Sequence, residues 1–509
     1  MVVVQYPHQL IRRHVEVRRY PRKRNSVCGR GLEERNLSHR DYSKPRRFFC
    51  AALEYDDIST RPLEVIIAGG GLGGLFTAIC LLEKGFKVTV LERTAEYKPL
   101  GGPIQLASNG MGVVHAISDE LAERIQSVSR PFWSTRSGIR DGLTSEWMFM
   151  FDAITEIPAA DNLPFSLCID RSDLQAVLVD HLKSISPHND IVRLDSGVSR
   201  YERSDERILV ELEDGRTLSG DILIGADGIW STVRSQLFNE KCQSTQDKFA
   251  VASYTGFKLY SGLPEVQLSE YFDIGYCAFI GPNHYFVVCP DRNGRVQWYA
   301  FVRTPPHTPN SEAPKERLRE IFAEWAPEVK RLIEATSAGS IIQRDLLDRA
   351  PSLTKSWAAG RVTLLGDSCH ATMPNIGQGT GLAFEDGYVL AHMLTAVQSR
   401  SDIPRTLQRF YRHRIIRTSI IQGLGRLNSE AIKFLTPLLP IRAVVDFFLS
   451  PLLPRIFFLQ FKYCYSFCPI RVKSHDSIRI ATMMNERHFA ETISAWAGNE
   501  DSAERHNKQ

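Results

Sequence analysis

Residues 63–93, LEVIIAGGGLGGLFTAICLLEKGFKVTVLER, decide the fold. The β-branched apolar run from Leu63 to Ala68 fits a buried strand that glycines close abruptly. Gly69, Gly71 and Gly74 then spell G-x-G-x-x-G. The first permits a tight turn, the second lets backbone N–H groups approach a pyrophosphate, and the third lets the next helix pack closely on the sheet. That helix, expected over Leu72 to Lys84, aims its positive N-terminus at the phosphates. A second strand, Lys87 to Leu91, carries Glu92 to its carboxyl end, 18 residues after Gly74, where a carboxylate accepts hydrogen bonds from an unphosphorylated ribose. Strand, helix, strand and acid describe a site for the ADP half of FAD or NAD, and leave the choice between them open.

Two later stretches repeat this strand-to-loop junction. In DILIGADGIWSTVRSQL, residues 221–237, Ile222 to Ile224 read as a buried strand, Gly225 to Gly228 as a sharp turn and Ser231 to Leu237 as a helix. Asp227-Gly228 thus falls at a strand's carboxyl end, where α/β sheets place ligands. In GDSCHATMPNIGQGTGLAFEDGYVLAHML, residues 366–394, Gly366-Asp367 close a strand expected over Arg361 to Leu365. A Pro- and Gly-rich loop follows from Met373 to Gly379, and a long helix begins near Thr380, its N–H groups aimed above the loop.

The stretches between them are less specific. After a loop at Gly101, Gly102 and Pro103, a helix is expected from Gly112. CIDRSDLQAVLVDHL opens a helix at Asp170, with Leu174, Val177, Leu178 and His181 on one face. Its Arg171 lies in the first turn, against the macrodipole preference, which fits a held anion as well as a solvated surface. Residues 191–225 alternate as a β-meander turning at Asp214-Gly215. HYFVVCPDRNGRVQWYAFV is a hairpin turning at Asn293-Gly294. One face carries Tyr285, Tyr299 and Phe301, the other Phe286 and Trp298, and such an aromatic sheet is either core or the roof of an apolar substrate cavity. Helices are expected over Ala313 to Ala335.

The 509 residues carry a net charge of +4, concentrated in the first 50, which hold 13 Lys or Arg against 4 acids. No basic surface for nucleic acid covers the body. The ten cysteines show no metal spacing and read as buried thiols in a reducing compartment, and no metal site is expected. Residues 1–62 form a basic leader, a transit peptide or a solvated arm. From Phe434 to Ile470 the chain is strongly apolar, but Arg442, Asp446, Arg455 and Lys462 interrupt it before it can span a bilayer. It reads as a platform lying on a membrane surface, or as a helical cap packed on the protein.

The three glycine-and-acid motifs in this order resemble the FAD-dependent aromatic-ring and isoprenoid monooxygenases, the p-hydroxybenzoate hydroxylase-like group, over residues 63–425. Within it, GGPIQLASNG, LPFSLCIDRSDLQ, QRDLLDRAP and GRVTLLGDSCHATMPNIGQG resemble the plastid branch that epoxidises carotenoid rings. The resemblance implies a mixed α/β (α+β) fold, with a Rossmann-like FAD-binding domain interleaved with a mixed β-sheet substrate domain and a helical apolar C-terminal region. The FAD-binding parts would be 63–135, 166–245 and 355–428, and the substrate parts 136–165 and 246–354. A membrane-associating region would span 429–475 and a polar tail 476–509.

The same resemblance implies that Gly69, Gly71, Gly74, Glu92 and Arg93 hold the ADP half of FAD, and that Arg171 and Gln175 lie over the ribityl-pyrophosphate. Gly366 and Asp367 would take the ribityl hydroxyls, Asp227 and Gly228 would shape the flavin and nicotinamide passage, and Gly379 and Thr380 would face the pyrimidine ring. Pro374, Gly377 and Gly379 would border the reacting flavin atoms. O2 would be activated at flavin C4a, with NAD(P)H or reduced ferredoxin as electron donor, and one oxygen delivered to an apolar carotenoid. The location implied is a plastid, at the thylakoid or envelope membrane, with the cytoplasm as alternative. Three rivals share the motifs. A hydroxylase of small aromatic acids needs a cation in its pocket. A geranylgeranyl reductase has glycine where His370 stands. A prenyl-binding chaperone like the GDP-dissociation inhibitors, without redox chemistry, has no use for intact Asp227-Gly228 and Asp367.

Overall fold

The computed structural model describes residues 61–470 apart from 99–100, 133–134, 189, 241–251, 266–273, 291–294 and 436–451. The basic leader, the hairpin turn at Asn293-Gly294, much of the apolar platform and the polar tail therefore lie outside the described residues.

Six strands form the first sheet, in the order Ala358–Ala359, Val362–Leu364, Ile222–Gly225, Glu64–Ala68, Lys87–Leu91, Val192–Arg193. All neighbours run parallel except the first pair. Strands buried on both sides need continuous apolar sequence, and Val65, Ile66, Ile67, Ile222, Leu223 and Ile224 supply it at 3% exposure or less. The helices Leu72–Leu82, Arg171–Ile185 and Gly379–Leu394 pack together. Phe76 and Phe384 stack between two of them with ring centroids 4.1 Å apart, a contact that adds about 1 kcal/mol beyond its buried area. The meander expected over 191–225 is present as Val198–Arg203, Ile208–Leu212 and Thr217–Gly220.

A second, seven-stranded sheet has the order Ile342–Asp348, Ser253–Gly262, Val296–Arg303, His284–Pro290, Ile274–Gly281, Arg136–Asp141, Trp147–Met150. Alternation settles what the aromatic hairpin does. Phe286 and Trp298 join Phe322 and Trp325 in a core under the helices Pro314–Ile321 and Pro327–Glu334. Tyr285 and Phe301 stack at 4.1 Å on the opposite face, with Tyr299 beside them. One face is thus core, and from the other Tyr299 and Phe301 also line a cavity.

Two stretches differ from expectation. The helix expected from Gly112 starts at Ser108, because Ser108 and Asn109 are tied down by side-chain bonds to Pro164 O and Glu385. The helices expected over Ala313 to Ala335 are present as Pro314–Ile321 and Pro327–Glu334, each opening on a proline. In the apolar C-terminal stretch, the helix Leu453–Tyr465 buries Phe461, Cys464 and Tyr465 and exposes Leu452, Ile456, Phe458 and Leu459. It is thus a packed cap on one side and a bare apolar face on the other, rather than apolar surface all round. Among the described residues no helix is long and apolar enough to cross a membrane.

Candidate cofactor and substrate site

Register brings the three loops together. Ala68 pairs with Leu91 and Gly225, and Gly225 pairs with Leu364, so the chain leaves three adjacent strands at the same edge. Gly71, Gly228 and Asp367 all line one cavity of about 480 Å³, together with Arg171, Pro374, Gly377, Gly379 and Thr380.

Each fingerprint glycine has a distinct reason to be glycine. Gly69 holds φ +108°, and a Cβ there would overlap the Ala226 carbonyl. At Gly74 a Cβ would overlap the Gly69 carbonyl. At Gly71 a Cβ would meet nothing within 4 Å, so this glycine keeps space free beside the cavity, whereas Gly228 is held at φ +76°, a left-handed conformation that side chains rarely adopt.

Gly70 between them is clamped. Its N–H donates to Glu92 Oε2 at 2.7 Å, and its carbonyl accepts from Tyr97 OH at 3.0 Å and Gln175 Nε2 at 3.2 Å. The Gln175 amide therefore braces the glycine loop from behind. Tyr97 was not singled out by the sequence, where only its position shortly after Glu92 could have flagged it. Burial, with the Glu92 charge, pushes its phenol up.

Besides Gln175, the expected site residues Arg93 and Asp227 turn away from the cavity. Arg93 is exposed and pairs with Glu213 at 3.1 Å. The Asp227 carboxylate accepts from Thr232 N at 2.7 Å and Val233 N at 3.2 Å, capping the helix Thr232–Leu237 at its positive end. Burial raises its pKa. Asp227 acts through its turn, while Ala226 and Gly228 line the cavity. Asp367 behaves otherwise. Its side chain is open to the cavity but otherwise enclosed by protein, and this desolvation raises its pKa against the opposing charges of His370, Arg171 and Arg349.

The cavity floor rests on a buried ionic network that the sequence did not disclose. Asp386 Oδ2 accepts from Gly366 N at 3.0 Å, and Oδ1 from Arg414 Nε at 2.7 Å. Glu385 accepts from Asn109 Nδ2 at 2.6 Å, and from Arg417 with both oxygens at 2.7 Å. Glu385, Asp386 and Arg414 are each 0% exposed. Such charges are tolerated only when paired, and here the pairing holds the Gly366-Asp367 turn against the helix Gly379–Leu394. Arg417 also donates to Tyr463 O at 3.2 Å and Cys464 O at 2.7 Å, seating the end of the helix Leu453–Tyr465.

Two helices, Leu72–Leu82 and Gly379–Leu394, open at this cavity with no side-chain cap and no acid in the first turn. Their first N–H groups are thereby left for an outside acceptor. One uncapped helix start suits a pyrophosphate, and the other suits a ring that gains negative charge on reduction. A flavin dinucleotide meets both needs. The opposite wall is apolar, built from Phe132, Leu259, Tyr276, Val287, Tyr299 and Phe301, and among the described residues Arg171 is the one basic side chain in the lining.

Residues 62–417 match the family model described as FAD binding domain. The chain belongs to this FAD-binding family. The family's cofactor, FAD, is the ligand that the two open helix starts fit. Among its relatives, a chloroplastic zeaxanthin epoxidase of Oryza sativa subsp. japonica is 38% identical over 386 residues, covering 73% of this chain and 55% of the relative. That of Spinacia oleracea is 34% identical over 391 residues, covering 73% and 54%. The chain thus spans about half the length of the curated relatives it matches. Among solved structures, Klebsiella pneumoniae HpxO complexed with FAD and uric acid superposes with a TM-score of 0.67 at 24% identity, covering 79% of this chain and 97% of that one. A salicylate hydroxylase substrate complex gives 0.64 at 22%, covering 83% and 98%. These likenesses establish the mixed α/β architecture of the FAD-binding protein.

Proposed function

We propose that this FAD-binding protein is a monooxygenase that epoxidises a ring double bond of a carotenoid, in the manner of a zeaxanthin epoxidase. The observation that carries the reading is the cavity wall. Opposite the loops at 366–380 it offers aromatic and aliphatic carbon, with no cation among the described lining residues beyond Arg171 at the helix start. A small aromatic acid would have to leave its carboxylate unpaired there, at a cost of several kcal/mol. The chloroplastic epoxidase relatives support the same substrate class, and membership of an FAD-binding family disfavours a chaperone without redox chemistry.

In this reading, bound FAD supplies the two-electron reduction and activation of O2. The chain does the rest. Gly71 and the start of the helix Leu72–Leu82 hold the pyrophosphate, Glu92 the ribose, Arg171 the ribityl-pyrophosphate region, and Asp367 the ribityl hydroxyls. Gly377, Gly379 and Thr380 present N–H groups to the ring, and Pro374 borders it. Tyr299, Phe301 and Tyr276 exclude water, which protects an electrophilic oxygen until transfer. NAD(P)H or reduced ferredoxin reaches the same cavity past Gly228. The location is the plastid, and the bare face of Leu452, Ile456, Phe458 and Leu459, flanked by exposed Arg455 and Lys462, rests on its membranes.

The test is to reduce the FAD-loaded protein anaerobically and then admit O2 with zeaxanthin in lipid vesicles. A product heavier by one oxygen is expected. Peroxide release with every carotenoid offered, without oxygenated product, would overturn the assignment.

A further inference from the structure

The proposed reaction makes no use of a pair of thiols in the cavity wall. Cys168 lies on the strand Leu167–Asp170, whose sheet also contains Pro103–Leu106 and Arg130–Pro131. Cys289 lies on His284–Pro290 of the seven-stranded sheet. Their sulfurs approach to 3.3 Å across the seam between the two sheets. Both residues are 4% exposed, and Cys289 lines the cavity. Among the described cysteines this is the pair joined sulfur to sulfur. Sulfur partners held by opposed strands need only close to about 2.05 Å to bond.

We infer that Cys168 and Cys289 form a peroxide-oxidisable dithiol, a modification site at which a disulfide staples the substrate sheet to the sheet beside the cofactor loops. Access selects the oxidant. Glutathione and protein thiols are too large for a wall site of this kind, whereas hydrogen peroxide is a two-oxygen molecule that fits the cavity Cys289 lines. The chemistry closes without another reactant. One thiol sulfur attacks an oxygen of hydrogen peroxide and breaks the O–O bond, releasing water and leaving a sulfenic acid. The second sulfur then displaces the hydroxyl as another water, both thiol protons leave in the two waters, and the sulfurs together give up two electrons to the peroxide. The hydrogen bond to Cys289 and burial both push the Cys168 thiol up, which makes it a slow nucleophile, so the first sulfur oxidised is Cys289, the one that lines the cavity, and Cys168, held 3.3 Å away, resolves it.

The source of peroxide in place rests on the monooxygenase reading, because a flavin oxygenase that fails to transfer its oxygen releases hydrogen peroxide. The staple would then form only when turnover is uncoupled, and would tether the strand that carries the apolar wall.

The decisive experiment treats the FAD-loaded full chain with added hydrogen peroxide, blocks remaining thiols, and maps peptides without reduction. A peptide pair joined through Cys168 and Cys289, lighter by two hydrogens and separated by dithiothreitol, is expected in the wild type and absent in Cys168→Ala. If both residues are recovered as blocked thiols, or Cys289 as sulfinic acid with no bridge, the inference is wrong. Wild-type mapping alone decides the matter even where the variant fails to fold. Failure to oxygenate any carotenoid would remove the internal peroxide source, yet leave the result with added peroxide unchanged.

Discussion

His370 Nε2 lies 2.6 Å from Asp386 Oδ2, and neither side chain is more than 1% exposed. Burial disfavours charge on His370, but Cys369 and Asp386 outweigh it and raise its pKa well above 6.5. Burial likewise opposes the Asp386 charge, and His370 and Arg414 overcome it, lowering its pKa to about 2. The His370 contribution to stability is complete below 6.5 and is lost as pH rises through its raised folded value. The Asp386 contribution is complete above 3.8 and is lost as pH falls through about 2. In His370→Gln, the melting temperature should fall most near pH 5 to 6, by an amount equivalent to roughly 3 kcal/mol. The gap to wild type should narrow as pH rises. Thermal melts from pH 4 to 10 measure it, and a pH-independent gap would refute the charged pair.

Gly71→Ala and Gly74→Ala should fail differently. The methyl at position 71 enters open space, so the variant should melt like wild type and lose FAD. The methyl at position 74 meets the Gly69 carbonyl, so that variant should lose both stability, by about 2 kcal/mol, and FAD. Differential scanning with and without added flavin separates the two.

Asp367→Ala should leave a folded body with weakened flavin retention. Losing one hydrogen bond to a charged group costs roughly 2 kcal/mol, a tenfold to thirtyfold rise in the FAD dissociation constant of the reconstituted apoprotein. Wild-type affinity would remove Asp367 from the site.

Arg417→Gln should release the helix Leu453–Tyr465 before the rest of the fold. Limited proteolysis should cut near Tyr463 to Ser466 in the variant alone, with a global loss of about 1 to 3 kcal/mol.

Leu459, 68% exposed, should be replaceable by glutamate with stability unchanged to within about 0.5 kcal/mol. Sedimentation with anionic vesicles should nevertheless fall severalfold. Equal sedimentation of wild type and Leu459→Glu would end the membrane assignment.

The legible parts of the molecule were those in which a local pattern has one physical solution. Glycines at 69, 71 and 74 between an apolar run and an amphipathic helix admit little besides a phosphate turn, and the three loops pointed to one site for Gly71, Asp227 and Asp367, of which Gly71 and Asp367 line the cavity while Asp227 turns to its own helix and leaves Gly228 there. What stayed hidden was long-range pairing. Nothing in the sequence near Glu385 points to Asn109, and nothing near Arg417 points to Tyr463. An acid such as Asp227 at a strand's end reads equally as a ligand group or as the cap of the next helix, and only the backbone direction at Thr232 decides. The hairpin's two aromatic faces were visible as alternation, but which face met helices and which met the cavity depended on partners distant in the chain.

The edge shared by Ala68, Gly225 and Leu364 has a consequence for biogenesis. Its third strand is encoded late, so a nascent chain on the ribosome holds two-thirds of a nucleotide cradle with an unpaired, adhesive strand edge until Val362–Leu364 emerges. Chaperone demand should therefore peak during that interval and fall once the third strand has paired.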